Sequence, residues 1–178
     1  MRLTRILAAA MVLALGLAPA PARADIAVTG AKSPAAADQV RMLIPALESW
    51  IDAHSDLPRS ARPLRRVAFV APGSEVTHDG RSTQLGSTIR GVYDAQTATI
   101  HLVRPWFGTT AFDRSVLLHE LVHHRQVDAR HWYCDRAMEW DAYKLQDRFL
   151  AQSGVESGFY WPAILLQSSC AVRDHHPD

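Results

Sequence analysis

Residues 115–124 read SVLLHELVHH, and this stretch decides what kind of domain the chain forms. Apolar side chains occupy most of its positions, which is the pattern of a helix buried on nearly all of its circumference. Two histidines and a glutamate interrupt the apolar surface: His119, Glu120 and His123. Buried imidazoles and a buried carboxylate are costly unless polar partners surround them. The stretch therefore predicts a core helix that carries a polar site.

The spacing of these three residues, HExxH, is that of a metal site. At 100° per residue, His119 and His123 lie about 40° apart around the helix axis and about 6 Å apart along it. Both imidazoles can therefore reach one Zn²⁺ ion at about 2.0–2.1 Å, while Glu120 lies to the side, where it can hold a metal-bound water. The alternative is an ordinary hydrogen-bonded cluster of the same side chains without a metal.

A catalytic zinc site needs a third protein ligand. A histidine ten residues after His119, the metzincin solution, is excluded because that position is Ala129, and His131 lies two residues too late. Glu139 follows at a distance that allows a turn and a returning helix, so we predict Glu139 as the third ligand and Asp135, one turn earlier, as the next candidate. The alternative for Glu139 is an ion pair with an arginine.

The rest of the chain predicts an α+β domain with helices before and after a few short strands. Asp113 and Asp135 are predicted N-caps. Pro45 should bend the first helix or end its first part. Residues 78–87 have little hydrophobic signal and predict a loop. The predicted helices cover residues 36–53, 113–128, 135–151 and 161–169. The predicted strands cover residues 67–70 and a hairpin of 91–93 and 97–103, whose second arm alternates like a half-buried strand.

The first 24 residues have the pattern of a secretory signal peptide. Arg2 and Arg5 precede an apolar run over residues 6–17, and Ala22 and Ala24 form a small-x-small cleavage site. The apolar run is short for a membrane span, although an uncleaved anchor is the alternative. We expect a signal peptide over 1–24, a single domain over 25–178, export to the periplasm or the extracellular space, and no stable membrane anchor after cleavage.

The charge balance excludes one class of partner. The chain has 19 basic and 18 acidic side chains, and three of the arginines belong to the leader, which leaves 16 basic side chains against 18 acidic ones. A nearly neutral domain of this kind is not expected to bind nucleic acid.

The chain has 2 cysteines, Cys134 and Cys170. Because the protein is expected to be exported, we predict that they form one intramolecular disulfide, which would stabilise the fold by about 3–4 kcal/mol. The alternative is two separate buried thiols.

The HExxH helix followed by the sequence EWDAY from Glu139 to Tyr143 resembles the gluzincin arrangement, in which a second helix completes the zinc site. The short chain is similar to the minigluzincins, the minimal single-domain members of that clan, over about residues 88–150. The resemblance implies a small zincin-like α+β domain with an N-terminal helix, a short mainly antiparallel sheet, the HExxH helix and a following helix with the third ligand. Two positions depart from the pattern: Arg125 replaces an apolar residue, and Tyr143 stands where some members have Asp.

The resemblance also implies a zinc-dependent peptide hydrolase. One Zn²⁺ ion held by His119, His123 and Glu139 would activate its bound water and polarise the scissile carbonyl, and Glu120 would pass the proton of that water to the leaving amine. The strand at residues 97–103 would pair with the backbone of an extended peptide or protein substrate.

The residue that stabilises the oxyanion is left open. Tyr143, Tyr133 and His131 are the candidates because they lie between or beside the ligands, and packing or a surface position is the alternative for each. His124 should face away from the paired ligands. Two other interpretations also stay open: a non-catalytic zinc-binding module of the same fold, and a metal-free secreted interaction domain.

Overall fold

Residues 26–170 are described by a computed structural model, and they form the predicted combination of helices and short strands. The predicted signal peptide over residues 1–24 lies outside the described residues. The elements in chain order are β1 (Ala27–Thr29), α1 (Pro34–His54), β2 (Arg66–Val70), β3 (Glu75–His78), β4 (Arg81–Gln84), β5 (Gly91–Asp94), β6 (Thr99–Val103), α2 (Ala111–Ala129), α3 (Ala137–Gln152) and α4 (Trp161–Gln167). The α+β class is confirmed.

The main sheet is mixed rather than mainly antiparallel. Its strand order is β1-β2-β6-β5. The β1–β2 and β2–β6 pairs are parallel, and the β5–β6 pair is antiparallel. The prediction of a mainly antiparallel sheet is wrong because only the β5–β6 hairpin is local in sequence, whereas β2 pairs with a strand about thirty residues later, with Val67 opposite Ile100.

Strand β6 lies inside the sheet and is buried on both faces. Thr99, Ile100, Leu102 and Val103 are all buried, so the expected half-buried alternation is wrong. Because β2 and β5 occupy its two sides, β6 has no free backbone edge. The prediction that residues 97–103 pair with a peptide is therefore wrong, and the strand that ends the sheet on this side is β5.

A second antiparallel pair, β3–β4, replaces the predicted loop over residues 78–87. Its tight turn is made by Asp79 and Gly80, with φ of 50° and 74°. An Asp-Gly pair with both residues in the left-handed region is a favoured two-residue hairpin turn. The hairpin covers the second face of the sheet, where Val76 and Leu85 pack in one cluster with Val103.

Helix α1 is one continuous helix, so Pro45 does not end it. Val40, Ile44, Leu47 and Ile51 form a buried stripe on both sides of the proline, and they pack in the main core with the sheet and α2. Burial of an apolar stripe of this kind outweighs the single backbone hydrogen bond that a proline removes.

The caps of α2 and α3 differ from the predicted ones. Thr110 is the N-cap of α2, and its Oγ1 accepts a hydrogen bond of 3.0 Å from Asp113 N. Asp113 lies in the first turn, where its carboxylate accepts from Phe107 N at 3.1 Å. Arg136 rather than Asp135 directly precedes α3.

The predicted disulfide between Cys134 and Cys170 is present, with a Cα–Cα distance of 5.9 Å. It joins the segment before α3 to the segment after α4 and closes a loop of 36 residues. Loop-closure entropy for that length gives a stabilisation of about 3–4 kcal/mol. None of the helices within residues 26–170 has the length and apolar character that a membrane span requires.

Candidate metal centre

Three side chains converge between α2 and α3: His119, His123 and Glu139. The two Nε2 atoms lie 3.0 Å apart. His119 Nε2 is 3.3 Å from Glu139 Oε2, and His123 Nε2 is 3.6 Å from Glu139 Oε1. Ligand atoms at about 2.0–2.1 Å from a tetrahedral zinc ion are about 3.3 Å from one another, so this donor set fits zinc without rearrangement.

Helix packing brings the two parts of the centre together. Helix α2 is fixed in the core by Leu117, Leu118 and Leu121, which are fully buried. Helix α3 packs against it through Ala142 and Leu145, which are also buried. The small side chain of Ala142, one turn after Glu139, allows the two helices to lie close to each other.

Two buried glutamines orient the imidazole rings. His119 Nδ1 is 3.0 Å from Gln146 Oε1, and His123 Nδ1 is 2.9 Å from Gln126 Oε1. The amide group of Gln146 donates to Ser115 Oγ, so its oxygen faces His119 and accepts the Nδ1 proton. The Nε2 lone pairs of both histidines are therefore directed toward the shared centre, as metal ligands require.

Sequence reasoning did not identify these two glutamines as part of the site. Gln126 lies three residues after His123 on α2, and Gln146 lies seven residues after Glu139 on α3. Both spacings put the glutamine on the same helix face as the ligand, so helical periodicity is the signal that could have found them.

The electrostatics of the centre require a positive charge among its three groups. Burial lowers the pKa of His123, but the hydrogen bond and the negative charge of Glu139 outweigh burial and raise it. Burial raises the pKa of Glu139, but hydrogen bonds from His119 and His123 outweigh burial and hold this pKa far below its usual range. A proton or a metal cation between the Nε2 atoms satisfies this arrangement, since two lone pairs 3.0 Å apart repel each other.

Glu120 lies beside the three candidate ligands, and the group that could hold a metal does not include it. Its side chain is buried, at 4% exposure, and lies against the backbone of Gly91 on β5. Burial raises the pKa of Glu120, and the charges of His119 and His123 oppose this effect. A buried carboxylate with a raised pKa, next to a metal centre and at the edge of a sheet, is suited to accept and release a proton.

Tyr143 is the one oxyanion candidate that the structure brings to the centre. Its ring packs edge-on against the His119 ring, with 4.7 Å between the ring centroids. It lines a cleft of about 340 Å³ together with Arg136, Glu139 and Gln167. Burial and the negative charge of Glu139 raise the pKa of Tyr143, so its hydroxyl stays protonated and can donate a hydrogen bond.

Tyr133 and His131 lie in the segment between α2 and α3, and they do not line this cleft. Their rings contact each other edge-on at 6.2 Å, and Tyr133 is 60% exposed. Both residues take part in further interactions. Asp135, the other candidate for third ligand, does not belong to the group that could hold a metal within residues 26–170.

The departure at Arg125 has a structural explanation. Arg125 is fully buried and contacts Glu48 and Asp52 on α1, with Nε donating to Glu48 Oε2 at 2.8 Å and Nη1 at 2.8 Å from Asp52 Oδ1. The arginine therefore joins α2 to α1.

His124 faces away from the candidate ligands, as expected. It is buried, and its Nδ1 lies 2.8 Å from the hydroxyl of Tyr93.

Comparison with protein-family models matches residues 36–178 to a family described as a domain of unknown function (DUF6647). The match includes every residue of the metal centre. No curated protein and no solved structure matches the chain.

Proposed function

The chain belongs to the DUF6647 family, and from the geometry of its metal centre we propose that it is an exported zinc-dependent peptide hydrolase of the gluzincin type. One observation carries the proposal: three converging candidate ligands, His119, His123 and Glu139, lie beside a second carboxylate, Glu120, that does not join them. Structural zinc sites use four protein ligands, whereas catalytic sites use three and leave one position open.

The donor set defines what would be bound and what the protein would contribute. A zinc ion held by His119, His123 and Glu139 supplies Lewis acidity, which lowers the pKa of water and polarises a carbonyl group. Glu120 accepts a proton from the attacking water at its carboxylate and donates it to the leaving amine nitrogen as the C–N bond breaks. The hydroxyl of Tyr143 donates a hydrogen bond to the oxyanion that develops on the carbonyl.

The position of β5 supports a peptide as the substrate class. This strand ends the main sheet, and its residue Gly91 contacts Glu120. An extended peptide that adds to β5 by backbone hydrogen bonds would pass directly beside the carboxylate. Position 91 has no side chain, and the Glu120 carboxylate occupies the space next to its backbone.

Export is part of the proposal. The leader pattern over residues 1–24 predicts it, and the disulfide between Cys134 and Cys170 is compatible with it because disulfides persist in oxidising compartments.

The test uses purified mature protein, residues 25–178. We expect one equivalent of zinc by elemental analysis, and we expect His119→Ala to lose it. Less than about half an equivalent in the wild type, or full retention in His119→Ala, would rule out the metal centre. Glu120→Gln should keep zinc and lose cleavage of a peptide library, and equal cleavage by both proteins would end the role of Glu120 as general base.

A non-catalytic zinc-binding module is the second candidate. Two of the three predicted oxyanion donors, Tyr133 and His131, do not line the cleft, and Tyr143 is the one that does. This small number of donors at the cleft favours a module without catalytic activity. Full zinc occupancy with no cleavage of any peptide by the wild type would favour this candidate over the enzyme.

A further inference from the structure

Arg136 lies at the rim of the metal centre, and within residues 26–170 it has no ionic partner. It directly precedes α3, is exposed, and lines the 340 Å³ cleft with Glu139, Tyr143 and Gln167. The ion pairs within residues 26–170 that involve arginine use Arg41, Arg59, Arg125 and Arg130, and none of them uses Arg136. In the described part of the chain, no acidic side chain therefore pairs with the guanidinium group that stands in the cleft.

The metal centre itself explains why this guanidinium is free. Arg136 and Glu139 are three residues apart, a spacing at which opposite charges on a helix ordinarily pair. Glu139 is instead directed to His119 and His123. The carboxylate of Glu139 is thus directed to the metal centre and not to Arg136. The positive charge of Arg136 therefore remains in the cleft.

The cleft wall that carries Arg136 is held in place covalently. Cys134, two residues before Arg136, is bonded to Cys170, three residues after Gln167. Helices α3 and α4 also contact each other through the edge-on rings of Trp140 and Trp161, with centroids 5.5 Å apart. Arg136 and Gln167 therefore belong to two walls that the disulfide joins, which limits their movement relative to the metal ligands.

Resting on the proposed hydrolase function, we propose that Arg136 binds a carboxylate of the peptide substrate, next to the bond that is cleaved. The planar guanidinium matches a carboxylate with two parallel hydrogen bonds, and such charge-assisted pairs are stronger than neutral ones. The carboxylate comes either from the C-terminus of the peptide or from an Asp or Glu side chain. The site thus selects acidic peptides or peptides with a nearby free C-terminus.

The test compares four peptides that differ at two points only. The C-terminus is either free or amidated, and one internal residue is either Glu or Gln. The wild type should cleave one carboxylate-bearing form about 10- to 100-fold better in kcat/KM than its neutral counterpart, mainly through KM. Arg136→Gln should remove that preference, so that the carboxylate-bearing and the neutral peptide are cleaved with the same kcat/KM. Arg136→Lys should keep an intermediate preference because it retains the charge but not the two-pronged geometry. Arg148→Gln, which removes the same charge from an exposed position on α3 outside the cleft, is the matched control and should behave as the wild type.

A second measurement does not depend on turnover. Binding of the same four peptides to Glu120→Gln protein is measured by calorimetry, with and without Arg136→Gln. A loss of about 10- to 100-fold in affinity for the carboxylate-bearing peptide alone supports the proposal. Equal losses for all four peptides, or no preference in the parent protein, overturn it. Carboxylate-dependent binding without cleavage by the wild type would reject the hydrolase and keep Arg136 as a carboxylate anchor.

Discussion

Gly91 on β5 faces the carboxylate of Glu120 on α2 so closely that a Cβ atom at position 91 would lie 2.5 Å from Glu120 Oε1. A Cβ atom does not approach another heavy atom this closely, so glycine is the residue that leaves room for the carboxylate. The edge strand therefore determines where the proposed base sits. This contact joins the sheet to the candidate metal centre, since Glu120 directly follows His119.

Replacing Gly91 by alanine should displace Glu120 without unfolding the protein. The atom that the new methyl group meets is the end of a flexible side chain, so the carboxylate can move and the backbone can stay. A misplacement of about 1 Å at a reacting group can cost about 100-fold in rate. We expect Gly91→Ala to lower kcat for peptide cleavage by about 10- to 100-fold while zinc content stays at one equivalent.

The matched control is Gly86→Ala, since a Cβ atom there would meet only Ile89 Cδ1, at 4.0 Å. This variant should keep wild-type activity. If Gly91→Ala were as active as Gly86→Ala, the position of Glu120 against β5 would have no catalytic importance.

The glutamines that hold the imidazole rings should determine zinc affinity. Gln146→Ala removes the acceptor at His119 Nδ1, and Gln126→Ala removes the one at His123 Nδ1. Loss of a partner that orients a metal-bound histidine typically costs about 10- to 100-fold in affinity. We expect both variants to fall in that range, measured by competition with a chromophoric zinc chelator.

Ser115→Ala provides a graded comparison, because Ser115 Oγ contacts Gln146 Nε2 at 3.0 Å and does not contact the histidine. Its effect on zinc affinity should be smaller than that of Gln146→Ala. An unchanged affinity in both glutamine variants would show that the rings are held by packing alone.

The convergence of the three candidate ligands was predictable from the sequence because most of its geometry is local. A separation of four residues places His119 and His123 on one helix face, and the turn that follows is long enough for a returning helix to bring Glu139 beside them. Cys134 and Cys170 were equally accessible, since two cysteines in a chain expected to be exported have one possible pairing.

The sheet was less predictable because its order depends on long-range pairing. Nothing local indicates that the strand at Val67 lies beside the strand at Ile100, and this neighbour removes the free edge of β6.

The β3–β4 hairpin was missed for a different reason. The weak hydrophobic pattern of residues 78–87 predicts a loop at Asp79 and Gly80, although an Asp-Gly pair is a strong signal for a tight hairpin turn. The cap of α2 was also assigned to the wrong residue, because the helix begins at Ala111, earlier than expected, and Thr110 accepts from Asp113 N.

The buried arginine between α1 and α2 should contribute strongly to stability. Arg125 is fully buried, and its partner Glu48 is 14% exposed at the side chain. Removing one partner of a buried ion pair leaves the other charge uncompensated, which costs about 3–5 kcal/mol. We expect Arg125→Met to lower the free energy of unfolding by about 3 kcal/mol in urea titrations. This value is at the lower end of the range because Asp52, the second acidic partner of Arg125, also pairs with Arg59.

The double variant Arg125→Met/Glu48→Leu distinguishes two contributions to the loss of stability. One is the loss of the ion pair, and the other is the cost of burying the charge of Glu48 without its partner. It should be more stable than Arg125→Met alone by about 1–2 kcal/mol, since both charges are then absent. If the double variant were less stable than the single one, Glu48 would contribute independently of Arg125.

Asp94 should make the stability of the domain depend on pH in the acidic range. Burial raises the pKa of Asp94, but hydrogen bonds from Thr97 and from the backbone N–H groups of Gln96 and Asp79 outweigh burial and lower it. Because the pKa of Asp94 is lower in the folded protein than the usual value for an aspartate, about 4, ionised Asp94 stabilises the fold above about pH 4. That stabilisation is lost as the pH falls through the folded-state pKa.

The measurement compares the free energy of unfolding of the wild type and Asp94→Asn from pH 7 to pH 3. The difference should be constant near neutral pH, at about 1 kcal/mol or more, and should shrink as the pH falls below about 4. His101 on β6 also faces this carboxylate. Burial lowers the pKa of His101 and the charge of Asp94 raises it, so the difference between the two proteins contains the ionisation of Asp94 together with its effect on His101. Thr97→Val removes one donor and should reduce stability in the same direction by a smaller amount. If the difference in the free energy of unfolding stayed constant down to pH 3, the ionised form of Asp94 would not be what stabilises the turns at Asp79 and Gln96.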